Sequence, residues 1–393
     1  MAKIDELLQE LCPDGVECLS LGSIGKICMC KRIMKDQTNT TSGVPFYKIG
    51  TFGKEADAYI SYDLYKEYKH RFSFPQKGYV LISASGTIGR AVIYNGEDAY
   101  FQDSNIVWIE NREDIVLNKY LYYCYMTMDW VTEGGTIKRL YNSNLAKMKI
   151  FVPSLSRQQE IVEVLDTFTD AISNLEEELA LREKQFEYYR EHLYQFDDEC
   201  SIKTIKDISV KCFPGATPST KKPEYWQNGT IPWMSSGEIH QGQVKSIAGR
   251  ITQLGYDSSS TKMVPINSIV VALAGQGKTR GTVAITRMEL CTNQSLCAII
   301  PDQSMVVPEY LYFYLKGQYF NLRQVSAGDG TRGGLTLKHI ESYKVPVISL
   351  DRQHKIVEIL DTFEAMIANI KEEIALRTKQ YEYYREKLLS FGK

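Results

Sequence analysis

Arg157 to Phe196 reads RQQEIVEVLDTFTDAISNLEEELALREKQFEYYREHLYQF, and Arg352 to Phe391 reads RQHKIVEILDTFEAMIANIKEEIALRTKQYEYYREKLLSF. The two stretches lie 195 residues apart and agree at 25 of 40 positions. Self-similarity at a fixed spacing marks a repeated structural unit. Each copy closes a stretch of roughly 140 residues that reads as globular. Those preceding stretches share only a faint outline. The chain repeats its helices and varies what comes before them, as a frame presenting two different heads would.

In the first copy apolar residues fall at Ile161, Leu165, Phe168, Ile172, Leu175 and Leu179, then at Phe186, Tyr189 and Leu193. The second copy keeps the same steps from Ile356 to Leu388. Steps of four and three define a heptad seam. The seam breaks once per copy, at Arg182 and Arg377. A polar seam residue fixes register at some cost; a long arginine reaching out of a loosely packed layer is the other reading. A helix of about 37 residues spans about 55 Å and needs a partner for its seam. The other copy is the obvious one. Antiparallel pairing would hold the heads at opposite ends, more than one DNA turn of about 34 Å apart. Ser156 and Asp351 are the expected N-caps, after Pro153 and Pro346.

The bulk composition narrows the class. A chain of 393 residues with 44% apolar content suits two or more soluble domains. No stretch is apolar for long enough to span a membrane. Met1 to Leu11 is charged and amphipathic, without an apolar signal core, which predicts a cytoplasmic protein. The nine cysteines include no Cys-x-x-Cys pair, and the five histidines are scattered. Reduced thiols used as small apolar residues are expected, and no metal site. Net charge is −2, but it is unevenly placed. Residues 17–150 carry +3, residues 201–345 carry +7 and residues 156–200 carry −9. The heads are basic and the first repeated helix is acidic, which favours a polyanionic partner for the heads.

Both heads share one sketch: an opening strand and turn, a glycine-rich β-turn element, a short aromatic helix, and a glycine turn before the long helix. Tyr79–Arg90 and Ile269–Gly281 are the β-turn elements; Tyr120–Tyr123 and Tyr310–Phe313 mark the aromatic helices. Ala272 to Thr279 matches a permissive phosphate-loop pattern. Such a loop must feed a helix whose N-terminal amides cradle phosphate. The next residues, Arg280 to Thr286, read as strand, so a nucleotide site is not expected. DNA contact is the better use. Arg90, Lys278 and Arg280 suit phosphate or guanine, and Gln276 suits adenine. Lys31, Arg32, Lys48, Lys138, Arg139, Lys221, Lys222 and Arg332 are further basic candidates in loop-like segments. Gln102 and Asn105 sit in a polar run able to read base edges or to cap turns. No methyltransferase motif and no nuclease carboxylate–lysine cluster is visible, so the chain reads as non-catalytic.

The layout resembles the specificity (S) subunit of type I restriction–modification enzymes. The resemblance covers nearly the whole chain. It rests on ELCPDGVE at Glu10–Glu17, SASGTIGR at Ser83–Arg90, and the RQ..IV..LD.F and YYRE..L patterns in both repeats. It implies an α+β fold: two β-rich target-recognition domains held apart by two long antiparallel coiled-coil helices, with pseudo-two-fold symmetry. The expected segments are 1–16, a head at 17–152, a spacer helix at 153–196, a head at 197–346 and a spacer helix at 347–393. It further implies a non-catalytic subunit of a restriction system, each head reading one half of a split double-stranded DNA site. Similar proteins recruit two modification (methyltransferase) subunits that use S-adenosylmethionine, and restriction (translocase-nuclease) subunits that use ATP and magnesium. No cofactor is expected on this chain. The acidic outer face of the first helix, with Glu160, Glu163, Glu176, Glu177 and Glu183, is then free for those partners. A coiled-coil scaffold with two protein- or ligand-binding heads remains the alternative.

Overall fold

The computed structural model describes residues 16–133, 138–196, 200–275, 278–325 and 334–391. The chain divides into two compact units, Met1–Glu176 with Glu372–Lys393, and Glu177–Lys371.

In the first unit the strands run β1 (Glu17–Ser20), β2 (Ile27–Cys28), β3 (Val44–Tyr47), β4 (Tyr59–Ile60), β5 (Val80–Ser83), β6 (Ala91–Ile93), β7 (Tyr100–Phe101), β8 (Ile106–Ile109) and β9 (Lys149–Val152). They form sheets ordered β2-β8-β5-β6, β4-β3-β7 and β1-β9. All pairings are antiparallel except β3 with β7. Strand residues alternate faces, and both faces of the largest sheet are covered. Val80, Ile82, Val107 and Ile109 enter a core with the aromatic helix Asn118–Thr127, whereas Leu81, Ile106 and Trp108 enter a second core with the β3 sheet. Burial on both sides is why β5 and β8 read as unbroken apolar runs.

The second unit has β10 (Ser201–Thr204), β11 (Ser209–Pro214), β12 (Ile231–Met234), β13 (Gln243–Val244), β14 (Arg250–Ile251), β15 (Ile269–Ala272), β16 (Val283–Thr286), β17 (Cys291–Thr292), β18 (Leu296–Pro301) and β19 (Lys344–Val347). Its sheets are ordered β11-β18-β15-β16-β13, β14-β12-β17 and β10-β19. This is the first unit's plan with β13 added at one edge. The parallel β3–β7 pair returns as β12–β17. The aromatic helix returns as Pro308–Gly317. Tyr120 donates to the Phe151 carbonyl at 2.9 Å, and Tyr310 repeats this on the Pro346 carbonyl at 2.8 Å.

The repeated segments are single helices, Leu155–His192 and Leu350–Ser390. Within the first unit Phe168 of one stacks on Tyr384 of the other, ring centroids 5.6 Å apart. Within the second unit Tyr189 stacks on Phe363 at 5.2 Å. In each unit the early part of one helix meets the late part of the other, so the packing is antiparallel. Arg182 reaches along its own helix to Glu178 and Gln185, and Arg377 likewise to Glu373 and Gln380. Both helices start before the expected caps. Ser154 Oγ accepts the Arg157 amide at 3.4 Å. Ser156 and Asp351 instead lie inside their first turns, because a serine follows Pro153 directly and Ser349 stands one residue before the second helix.

Candidate nucleic-acid interface

Eight residues of the first head were expected at DNA, and five of them line one cleft of about 660 Å³: Arg32, Lys48, Gln102, Asn105 and Arg139. Chain topology gathers them. The turn between β7 and β8 presents Gln102 to Asn105, with Ser104 in the left-handed region at φ 48°. Arg32 follows β2. A β-bridge from Ser85 to Arg139 brings in the segment before the helix.

The polar atoms in this cleft are largely fixed. Arg32 Nε lies 2.8 Å from Asp103, and Lys48 Nζ lies 2.8 Å from Asp57. Gln102 Oε1 accepts the Ile49 amide at 2.9 Å. Asn105 Oδ1 accepts from Ser85 Oγ at 2.8 Å and from Arg139 Nη2 at 3.0 Å. The side-chain amide nitrogens of Gln102 and Asn105 make no hydrogen bond among the described residues. These two nitrogens and Arg139 are donors facing the cleft, and its carboxylates Asp57 and Asp103 are each held by a cation.

The other three candidates lie elsewhere. Arg90 Nη1 donates to the Phe52 carbonyl at 2.7 Å, which makes it a half-buried strut. Lys31 is exposed, with its ammonium 5.2 Å above the Phe72 ring. Lys138 is exposed beside Arg139. Sequence reasoning missed Ser85 and the lining residues Thr38 to Thr40. Ser85 lies inside the quoted SASGTIGR motif; Thr38 to Thr40 carry no sequence signal.

In the second unit, Gln276 and Arg332 lie outside the described residues. Lys221 and Lys222 are exposed before the short turn Pro223–Tyr225. Lys222 Nζ bonds Tyr225 Oη at 3.0 Å, a contact that raises the lysine pKa and lowers that of the tyrosine. The Lys278 and Arg280 loop rests on the helix Tyr319–Val325: Tyr319 Oη donates to the Lys278 carbonyl at 2.9 Å, and Arg323 to that of Arg280 at 3.1 Å. After this loop the chain enters β16, not a helix, so the phosphate-loop pattern lacks the amides it would need.

On the first long helix Glu163, Glu176 and Glu177 are exposed. Glu160 pairs with Arg157 at 2.7 Å, and Glu183 with Lys371 at 2.7 Å. Burial pushes the Cys30 and Cys124 thiols up to about 12, as expected of packing residues. Among the described residues no His, Cys, Asp or Glu group could hold a metal ion, and no helix is long and apolar enough to cross a membrane.

Comparison with known proteins matches this architecture. The family described as "Type I restriction modification DNA specificity domain" matches twice, over residues 13–182 and 198–376. A putative type I restriction enzyme specificity subunit of Haemophilus influenzae is 56% identical over 183 residues, covering 45% of this chain and 48% of the relative; the chain spans about half its length. The EcoR124I/EcoR124II specificity subunit of Escherichia coli is 37% identical over 291 residues, 70% of this chain and 72% of that one. The crystal structure of a type I restriction–modification S subunit from M. genitalium shares the fold, with a TM-score of 0.62 at 16% identity over 96% of this chain and 97% of that one. With the match running through both repeats, the chain belongs to the type I restriction–modification DNA specificity family, as a non-catalytic component that recognises DNA sequence.

Proposed function

We propose that this chain reads a split double-stranded DNA site, each head taking one half, inside a larger cytoplasmic modification and restriction complex. One observation carries the reading: a single β topology occurs twice, while the side chains on its exposed turns differ. A fixed frame with exchanged contact residues is what two different half-sites require. The basic charge of both heads supports a DNA partner. Modification subunits would bring S-adenosylmethionine, and restriction subunits ATP and magnesium. The exposed carboxylates Glu163, Glu176 and Glu177 repel DNA and suit a docking face for these partners.

Exchange of residues 17–152 for the head of another such protein tests the proposal. Methylation-aware sequencing of the host genome is expected to show one half of the modified sequence changed and the other half retained. An unaltered sequence, or a change in both halves, would refute it.

A further inference from the structure

We propose that Arg139 is a specificity-determining residue that reads a guanine, held for that task by Asn105 and Ser85. The inference rests on the DNA-reading role proposed for the first head and assigns a base class to its cleft.

The chain contains its own control. In the first unit the Ala84 amide donates to the Asn105 carbonyl at 2.7 Å, and the Leu140 amide to the Ala84 carbonyl at 2.9 Å. In the second unit the Leu273 amide donates to the Ser295 carbonyl at 2.8 Å, and the Leu335 amide to the Leu273 carbonyl at 2.9 Å. The backbone frame is the same. At the matching positions Ser85, Asn105 and Arg139 are replaced by Ala274, Ser295 and Gly334. The frame forms without the three-residue network, so the fold does not require that network.

Its chemistry points to guanine. Asn105 Oδ1 already accepts from Ser85 and Arg139, and Gln102 Oε1 already accepts the Ile49 amide. The guanidinium is braced through Nη2; its Nη1 and Nε make no hydrogen bond among the described residues. The cleft then presents three donors, the Arg139 fork and the side-chain amide nitrogens of Asn105 and Gln102, while its carboxylates Asp103 and Asp57 are each paired with a cation. In the major groove guanine shows two acceptors, N7 and O6, and adenine shows an acceptor beside a donor. The N6 donor of adenine would find both lone-pair sites of Asn105 Oδ1 already taken by Ser85 and Arg139. A braced arginine also loses less side-chain entropy on binding than a free one.

The test uses the full chain assembled with its modification subunits and reads the methylated sequence. In Arg139→Ala one G·C position in one half-site is expected to lose discrimination by about 5- to 150-fold, with every other position retained. Arg139→Lys keeps the charge without the fork and is expected to relax the same position. Asn105→Ser, the residue at that register in the second unit, should relax it by a smaller factor in a frame known to fold. An unchanged motif in all three overturns the proposal. So does a uniform loss that Arg139→Lys restores, because that marks a phosphate contact. Failure of the DNA-reading role itself would look different: exchange of the whole head would leave both half-sites as they were.

Discussion

Gln158 Oε1 accepts the backbone amide of Leu117 at 2.8 Å, and its own nitrogen donates to the carbonyls of Ile115 and Pro153, each at 2.8 Å. Gln353 repeats the pattern on Val307, Met305 and Ile348 at 2.8, 3.0 and 2.8 Å. Both side chains are fully buried. Each glutamine therefore ties the first turns of a long helix to the entry of the aromatic helix, and so fixes the helix to the head it carries. Gln158→Ala would leave a half-buried amide and two carbonyls without this partner. At about 1–3 kcal/mol for a buried group left unpaired, with partial relaxation, a loss of roughly 2–4 kcal/mol is expected in denaturant unfolding. Gln353→Ala should cost a similar amount. A loss below about 0.5 kcal/mol, the range of ordinary surface changes, would show that the latch is not structural.

The paired stacks predict a specific coupling. Phe168 with Tyr384 and Tyr189 with Phe363 are the same contact at positions shifted by one repeat. Stacked aromatic pairs contribute about 0.5–1.5 kcal/mol beyond area burial. A double-mutant cycle on Phe168→Ala and Tyr384→Ala should return a coupling of that size. The cycle on Phe168→Ala and Phe363→Ala, which are not partners, should return about zero. Equal couplings in the two cycles would argue against antiparallel pairing of the helices in each unit.

The helices were legible because a heptad is a local signal repeated many times, and here the chain states it twice. The aromatic helices were legible for the same reason. The cap positions were not, because Ser154 and Ser156 are both competent and only the observed hydrogen bond separates them. Strand register was hidden: pairs such as Phe46 with Tyr100 join residues far apart in sequence. The latch left a trace in the repeated Arg-Gln at the start of both copies, and its partners Leu117 and Val307 each stand three residues before the matching tyrosines Tyr120 and Tyr310, but nothing in the sequence joins the glutamine to them. At the cleft, composition found the charges. It could not tell Arg139, which reaches the cleft, from Arg90, whose guanidinium is taken by the distant Phe52 carbonyl.

A charge change between the copies predicts a pH dependence. Asp166 bonds Lys119 Nζ and Tyr123 Oη, both at 2.6 Å. Its repeat is Asp361, for which Glu309 and Phe313 stand at the sequence positions matching Lys119 and Tyr123, and Glu309 is held by Arg287 at 2.6 Å. Burial first, then Glu309 and Glu364, push the Asp361 carboxyl up, with Arg287 opposing. A folded-state pKa above the unfolded value gives a contribution that is present at low pH and lost as pH rises through the folded pKa. Asp361→Asn removes that loss. The Tm of the variant should exceed that of the parent increasingly as pH climbs above the usual carboxylate range near 4, and then level off. A Tm difference independent of pH between 4 and 7 would contradict this assignment.

Phosphate contacts and base contacts should separate in salt titrations. Lys31 and Lys138 are exposed and hold no carboxylate among the described residues, whereas Arg32 and Lys48 are ion-paired to Asp103 and Asp57. A lysine that neutralises one phosphate contributes about 0.9 to the slope of log K against log salt. For the assembled complex, Lys31→Ala and Lys138→Ala should each lower that slope by about this amount and weaken all DNA sequences alike, leaving the modified sequence unchanged. Lys48→Ala should lower it less, because the parent lysine reaches DNA already half-neutralised by Asp57. Fluorescence anisotropy at several salt concentrations, with matched and mismatched duplexes, measures both quantities. A change in sequence preference in Lys138→Ala would move that residue from the backbone to the bases and leave its purely electrostatic role without support.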